Sequence, residues 1–453
     1  MKSLSLLFSL LTLSIPAHIN AQEVSKHNLA VTVYNNNLGV IKDNREIDIK
    51  SQNSKIEITD VAQLIDPTSV HIKFPGQVIE QNYQYDLVSL NKILQKYIDK
   101  NISLISKNND LVEGKLLSAR GNQIVLEKKE GGLLMLPNVN EYRLSVESLP
   151  EGLITKPTLI WQVLANKTGK QNIEISYQTG GMDWHAEYVA VLNHDDTKLG
   201  LNSWVSIDNN SGTTFKNAKL KLVAGDVNRV QNQRMLYKGA RNMEKLEFAD
   251  AAAQFEEKSF FEYHIYNLQR PTTLAQNETK QISLFEAEDI GVNKKYFYHS
   301  NGYNTNGKVN VIIEFDNSKK EKLGMPMPKG KVRVYKSDGE SIEFIGEDLI
   351  DHTPKDETVK LKIGDAFNVL VEEKQVSHKK ITRNVVEKEF EVKIKNRKDK
   401  DVVVEVERYL GLNWEILNSS INYQKKNAQT VTFQIPVKKD AESTLKYKVR
   451  FIY

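Results

Sequence analysis

SYQTGGMDWHAEYVA (residues 176–190), LNSWVSIDNNSGTTF (201–215) and KLKLVAGDVNRV (219–230) are three neighbouring runs that decide the fold of this chain. Each run alternates apolar and polar side chains with a period of two, which is typical of half-buried β-strands. In the first run, Trp184 lies on the face opposite His185, and beyond these two residues both faces become largely apolar. A strand that is apolar on both faces is covered on both sides, so we expect this run to be the central strand of a β-sandwich.

The whole chain predicts a mainly β, multi-domain protein with β-sandwiches, a small inserted barrel, one helix and an immunoglobulin-like C-terminal domain. Its 453 residues exceed the roughly 250 to 300 at which one hydrophobic core stops growing, so several domains are expected. The predicted divisions are a signal peptide (1–21), an N-terminal β domain (22–84), a helix with a barrel-like insert (85–149), a central β-sandwich (150–374) with a surface excursion (231–259), and the C-terminal immunoglobulin-like sandwich (375–453).

The first two folded divisions have different hydrophobic periods. Residues 29–59 contain three alternating runs separated by Asn-rich and Ser-rich turns, which predicts a β-meander. Residues 85–100 change to helical spacing, with Asp86 or Ser89 available as the N-cap. Five short alternating runs follow before residue 147, and glycines separate or bend them, so they predict a small barrel.

The N-terminus predicts export. Lys2 precedes an apolar run over residues 4–15 that is too short to span a membrane, as in a cleaved signal peptide. No later run approaches the roughly 18 apolar residues of a transmembrane helix, so no span is expected in the mature chain. The chain has no cysteine, which excludes disulfides, thiolate metal ligands and cysteine nucleophiles. We expect the protein in the periplasm or at the cell surface of a Gram-negative bacterium.

The overall charge argues against a nucleic-acid partner. The chain has 62 basic and 58 acidic residues, and its formal net charge is only +4. Proteins that bind nucleic acid commonly concentrate basic residues in a patch or stripe, and no segment here interleaves such a stripe with exposed aromatic residues. An exported protein with a mixed-charge surface is instead expected to meet another envelope protein or a glycan.

Several segments resemble a known bacterial family. YQTGGMDWHAEYVAVLN (177–193), NSWVSIDNNSGTTF (202–215) and VVVEVERYLGLNWEI (402–416) resemble the domain-of-unknown-function 4139 family, over essentially the whole mature chain. The second half is also similar, more distantly, to mucoidy-inhibitor A-like proteins, which carry a long coiled coil where this chain has its predicted helix and insert. The resemblance implies an exported, β-rich protein, and it brings no established activity or catalytic residues.

One strand face carries the candidate catalytic side chains. Alternation places Asp183, His185 and Glu187 on the same side of one strand, and a histidine beside carboxylates can act as a general base or a metal ligand. Asp226 follows a glycine and is either a turn former or a further acid. The histidines never show H-x-H or H-E-x-x-H spacing, so no metal and no cofactor are predicted, and a structural or surface role for His185 is favoured.

The four tryptophans divide into two pairs. Trp161 and Trp414 stand at core spacing, whereas Trp184 and Trp204, together with Glu187, are the candidate binding residues because exposed tryptophans stack on sugar rings. The favoured hypothesis is a non-enzymatic binding or structural module for an envelope protein or glycan. The alternative is a metal-assisted hydrolase that uses Asp183, His185 and Asp226. Oligomeric state leaves no mark in the sequence.

Overall fold

The computed structural model describes residues 28–225, 227, 255–260, 263–303 and 306–453, with only the backbone at 259 and 260. These residues form thirty β-strands and one α-helix, which confirms the mainly β fold with a single helix. The predicted signal peptide and residues 231–254 of the predicted excursion lie outside the described residues. None of the helical segments in the described ranges has the length and apolar content that crossing a bilayer would require.

The first half of the chain contains fifteen strands and the helix α1 (Leu90–Lys96). Ten strands precede residue 150: β1 (Asn28–Tyr34), β2 (Leu38–Ile49), β3 (Asn53–Ile58), β4 (His71–Lys73), β5 (Gly76–Gln84), β6 (Asn101–Ile105), β7 (Leu111–Arg120), β8 (Gln123–Lys128), β9 (Leu133–Leu136) and β10 (Arg143–Ser145). Five follow: β11 (Thr158–Ala165), β12 (Gly169–Thr179), β13 (Met182–Leu192), β14 (Lys198–Asn209) and β15 (Phe215–Ala224).

The second half contains the other fifteen strands. Nine lie before residue 381: β16 (Phe255–Phe260), β17 (Tyr263–Leu268), β18 (Thr272–Leu274), β19 (Glu278–Gly291), β20 (Asn293–Ser300), β21 (Gly307–Asp316), β22 (Gly330–Ser337), β23 (Ile342–Ile350) and β24 (Thr358–Lys380). Six complete the chain: β25 (Val385–Asn396), β26 (Val402–Tyr409), β27 (Trp414–Ser419), β28 (Tyr423–Lys425), β29 (Thr430–Val437) and β30 (Glu442–Ile452).

The N-terminal sheet has the order β16-β17-β15-β1-β2-β12-β4, with β18 also paired to β15. β1 and β2 form a hairpin whose turn includes Asn37 at a φ of 51°, a left-handed conformation that asparagine tolerates. β1 also pairs in parallel with β15, where Ala30 stands opposite Lys219. Residues 255–259, predicted as the end of the surface excursion, form most of β16 at the edge of this sheet and pair with β17.

The predicted meander over residues 29–59 is wrong at its third strand. β3 does not pair with β2 but joins a separate sheet of order β3-β11-β5. Ile56 and Ile58 of β3 are buried there in a core that also contains Trp161 and Trp184. Alternation predicts which side chains of a strand are buried, but it does not predict which strand will be its hydrogen-bonded neighbour.

The predicted insert contains all five expected strands, but they do not close into a barrel. Their order is β10-β6-β7-β8-β9, and the two outer strands are not hydrogen-bonded to each other in the described residues. Closure requires the first and last strands to pair, and here those strands have only three and four residues. The helix is confirmed but shorter than predicted, and Ser89 is its cap, accepting a hydrogen bond from the Lys92 amide at 3.4 Å.

The central sheet has the order β19-β14-β13-β22-β23, so β13 is its middle strand, as the sequence predicts. β13 pairs antiparallel with β14 and parallel with β22. A Cβ atom on Gly330 would lie 2.1 Å from the Ala186 carbonyl oxygen, so glycine lets β22 begin close beside β13. One face of β13 is buried along its whole length, with Trp184 in the N-terminal core and Tyr188 in a second core.

The C-terminal sheet has nine strands in the order β27-β30-β25-β24-β21-β20-β26-β29-β28. Phe433 and Tyr447 lie on β29 and β30, which are not neighbours in this order, yet their ring centroids are 5.2 Å apart. The sheet therefore folds over on itself and encloses a core between two layers. β24 runs through residues 374 and 375, where a domain boundary was predicted, and β20 and β21 also join this sheet; the domain divisions themselves stay predictions.

A charged pair is buried inside this C-terminal sandwich. The Glu373 carboxylate, which is 1% exposed, lies 4.0 Å from the Arg408 guanidinium. Glu373 also accepts hydrogen bonds from the hydroxyls of Ser300 and Tyr298. The Arg408 guanidinium stacks over Phe390 at 4.8 Å from the ring centroid. Most of the charge on this pair is thus compensated inside the core rather than by solvent.

Candidate functional site

The side of the central sheet that faces away from the two cores, which we call the central face, carries the candidate residues in cross-strand rows. Asp183 of β13 stands opposite Asp208 of β14, which in turn stands opposite Thr279 of β19. The next rows place His185 opposite Ser206 and Glu187 opposite Trp204. The parallel neighbour β22 adds Lys331 beside Glu187, and Arg333 two residues further along the same face.

A charge network organises the middle of the central face. The Glu187 carboxylate lies 3.3 Å from Nε2 of His185 through one oxygen and accepts a hydrogen bond from Nη1 of Arg333 at 3.2 Å through the other. Glu347 of β23 extends the network, 3.9 Å from Nε of Arg333 and 3.6 Å from Nζ of Lys331. Glu187 is mostly buried and both of its oxygens are engaged, so the positions of His185 and Arg333 are coupled through it.

The same contacts shift the ionisation of the histidine and its partner. The hydrogen bond to Glu187 raises the pKa of His185 above 6.5, against an opposing effect of burial. The hydrogen bond to His185 lowers the pKa of Glu187, and the charge of Arg333 acts in the same direction. Because the pKa of His185 is raised on folding, the pair stabilises the fold below about pH 6.5, and this contribution is lost as the pH rises through the folded-state value.

Asp183 has a different environment in the next row. Burial raises the pKa of its carboxyl group to about 6, and the nearby charge of Asp208 acts in the same direction. Its Oδ1 accepts a hydrogen bond from the backbone amide of Trp184 at 2.9 Å. At neutral pH the central face therefore presents a mostly ionised Asp183, and it loses this negative charge in mildly acidic solution.

Replacing Glu187 by glutamine is expected to lower the pKa of His185. The amide oxygen of glutamine still accepts a hydrogen bond but carries no negative charge, so the largest cause of the raised value is weakened and the charge of Glu187 is lost. Titration of the His185 ring protons by NMR measures this shift directly. Glu347→Gln is the matched control, because Glu347 contacts Arg333 and Lys331 and should leave the pKa of His185 in place. An unchanged pKa in Glu187→Gln would show that the ion pair does not control His185.

The candidate residues that the sequence predicts fall into two groups, those on the central face and those buried in a core. Asp183, His185 and Glu187 share one face of β13, and Trp204 lies half-buried on that face, as the alternation predicts. Trp184 is buried at 1% exposure, and its indole N–H donates to the Val223 carbonyl at 3.2 Å. The predicted binding role of Trp184 is therefore wrong, because its ring is enclosed by core side chains and cannot stack on a ligand.

Other candidates lie elsewhere or were not foreseen. Asp226 lies outside the described residues, so its place in a site stays a prediction. Trp161 is fully buried, as predicted, and Trp414 is partly buried against the C-terminal core. Arg333 was missed, although the alternation of KVRVY places it on the face opposite two valines. The alternation shows which face of β22 carries Arg333, but it does not show that β22 lies beside β13.

The candidates are not joined in a metal-ligand cluster of the described residues, and they lie outside the cavity on the N-terminal sheet. The described residues contain no group of three or more His, Asp and Glu side chains placed to hold a metal ion. A cavity of about 500 Å³ lies on the N-terminal sheet, where Arg45, Lys73 and Phe74 are among its lining residues, and none of the central-face candidates lines it. The arrangement is suited to recognising charge over a broad surface, and the metal-assisted hydrolase stays an untested alternative.

Comparison with known proteins adds one finding. Residues 173–453 match the family described as "Domain of unknown function (DUF4139)". The match covers more than half of the chain and begins within β12, so it includes every strand of the central and C-terminal sheets. It is shorter than the resemblance over the whole mature chain that the motifs suggest, since residues 22–172 lie before it. No curated protein matches the chain.

Proposed function

This chain belongs to the DUF4139 family, and from that premise we propose that it is an exported, non-enzymatic binding module whose central face docks another protein of the cell envelope. The family description states no activity, so the proposal depends on geometry and on the export expected from the sequence. The single observation that carries it is the form of the central face: an ordered network of charged side chains spread over neighbouring strands of one sheet, outside the cavity on the N-terminal sheet.

A spread surface of this kind favours a macromolecular partner over a small substrate. Small-molecule sites are concave and bury most of their ligand, whereas protein interfaces are broader and enriched in tryptophan, tyrosine and arginine. Trp204 and Arg333 supply two of these residue types, and both are held within a single sheet. Glu187 orients the Arg333 guanidinium before any partner arrives, which lowers the entropy that binding would lose.

Affinity capture from envelope extracts with the full chain tests this proposal. We expect Trp204→Ala to reduce the recovery of a protein partner by about tenfold or more, because central aromatic residues dominate interface energies. Tyr85→Ala is the matched control, since Tyr85 is an exposed aromatic residue far from the central sheet in sequence. Equal recovery by the two variants would contradict the proposal. Recovery of a glycan in place of a protein would assign the face to a different class of ligand.

A further inference from the structure

Four neighbouring strands, β24, β25, β30 and β27, have their ends together at one end of the C-terminal sheet. β24 ends where β25 begins, and the β25 residue Val385 stands opposite Ile452 of β30. The Ile452 amide donates to the Asn413 carbonyl at 3.0 Å, which brings in the segment before β27. We call this end, residues 379–388, 412–414 and 451–452, the C-terminal tip.

The C-terminal tip exposes apolar side chains on three separate segments. Ile381 is 43% exposed, Leu412 is 75% exposed and Ile452 is 47% exposed. Ile381 follows β24 and Leu412 precedes β27, so the two belong to the segments on either side of the β25–β30 pair. A single exposed apolar residue is ordinary on a protein surface, but three that project from the ends of adjoining strands form a group.

The same tip carries three cations that form no ion pair with an acidic side chain in the described residues. Lys379, Lys380 and Arg383 are exposed, and within the described ranges none of them forms an ion pair. The ammonium group of Lys388 lies 5.6 Å from the centre of the Phe451 ring.

The charges at the inner edge of the tip, at Glu387, and farther along the same strands are instead paired. Arg450 pairs with Glu387 at 2.8 Å and with the exposed Glu415 at 3.4 Å, and Lys448 pairs with Glu387 at 3.1 Å and with Glu389 at 3.2 Å. The acidic residues near the tip are thus already occupied by these cations. Uncompensated positive charge is concentrated at the strand ends, beside the exposed apolar side chains.

We propose that the C-terminal tip docks onto an anionic lipid bilayer. The cations contact lipid headgroups, while Ile381, Leu412 and Ile452 enter the interface between headgroups and acyl chains. Lysine and arginine suit this position because their long apolar stems lie along the inserted surface while their charges stay in water. Proteins held by charge and shallow apolar contact bind in the plane of the interface and require no spanning segment. The tip and the central face lie on different sheets, so either proposal can fail without the other.

Flotation of the full chain with vesicles tests the proposal. Vesicles of phosphatidylglycerol and phosphatidylcholine are compared with vesicles of phosphatidylcholine alone, at two salt concentrations. The triple variant Lys379→Gln, Lys380→Gln, Arg383→Gln should bind the anionic vesicles on the order of 100-fold more weakly, since each cation near an anionic surface contributes about fivefold. The triple variant Lys107→Gln, Lys167→Gln, Lys219→Gln removes the same charge from exposed sites elsewhere and is expected to bind nearly as the parent does.

An apolar variant separates lipid insertion from simple attraction between charges. Ile381→Ser with Leu412→Ser should weaken binding by about tenfold or more even though no charge changes. Circular dichroism and melting curves establish that each variant folds. Any binding by the N-terminal segment is the same in all variants, because all of them contain it. Equal binding by the two triple variants would overturn the proposal. So would an unchanged affinity of the serine variant, because the tip would then act as a general site for polyanions.

Discussion

Trp184→Ala is expected to lower the free energy of unfolding by about 3 to 5 kcal/mol, the usual cost of truncating a large aromatic side chain in a core. The indole ring is almost completely buried and lies 6.1 Å from the ring of Tyr266, centroid to centroid. The substitution also leaves the Val223 carbonyl without the indole donor. Urea denaturation followed by circular dichroism measures the loss, and Trp184→Phe should lose less because it keeps most of the ring volume.

Trp204→Ala is the matched control for this experiment. Trp204 lies half-buried on the central face, so its removal leaves both cores filled, and the expected loss is about 1 kcal/mol or less. The sequence predicts a binding role for both tryptophans, and this pair of variants tests whether Trp184 instead stabilises the core. If Trp184→Ala were as stable as the parent but lost its partner, Trp184 would be a binding residue and the core assignment would fail.

Arg408→Ala is expected to destabilise the C-terminal sandwich by about 3 to 5 kcal/mol. The substitution leaves the Glu373 carboxylate in the core without its cation, and an uncompensated buried charge costs far more than a lost surface contact. The two hydroxyls that donate to Glu373 remain, but they carry no charge. A protein with several cores can unfold in more than one transition. Calorimetry measures the loss, and the transition of the C-terminal sandwich is identified as the one at which Trp414 fluorescence also changes.

A double variant identifies the physical cause of that loss. Glu373→Leu with Arg408→Met replaces the pair by apolar side chains of similar size and should recover most of the stability, because no charge then stays buried. If the double variant is no more stable than Arg408→Ala, packing rather than charge explains the loss. Lys438→Ala is the surface control: it breaks the exposed pair with Asp401, and no resolvable change is expected.

Local patterns predict the strands better than they predict their partners. The alternation through Trp184 and His185 correctly predicts that β13 is a central strand with these two residues on opposite faces. Of the two faces, the one with Trp184 is packed in the cores, whereas the predicted cover over the face with His185 is not seen along its whole length. Of the two residues that the sequence offers as the helix cap, Asp86 and Ser89, the structure uses Ser89. These predictions succeed because burial and capping depend on residues that are close together in the chain.

Partners that are distant in the sequence leave no comparable mark. β3 leaves its predicted meander for β11, and β13 takes β22 as its parallel neighbour, with Ala186 opposite Gly330. The same limitation explains the open insert. The alternation predicts each of its five strands, but closure of a barrel depends on pairing between the outer strands β10 and β9. The C-terminal sheet shows the same limitation. The sequence places a domain boundary between residues 374 and 375, but both residues lie within the single strand β24.

The candidate site divides in the same manner. Asp183, His185 and Glu187 were found because all three lie on one strand and share its period of two. Arg333 was not found, because only the pairing of β22 with β13 brings it to Glu187. The alternation of Trp184 with its neighbours put it on the opposite face from His185, but residue type alone made it a binding candidate, and its position on the core face decides otherwise.

The parallel pairing of β1 with β15 has a consequence for biogenesis. Ala30 finds its neighbour Lys219 only after the ribosome has added the intervening residues, including the whole insert. At about 5 to 20 residues per second, this takes on the order of ten seconds or more. The N-terminal sheet therefore cannot be completed during that interval, and the nascent chain stays accessible to chaperones and to any export machinery that requires an unfolded substrate.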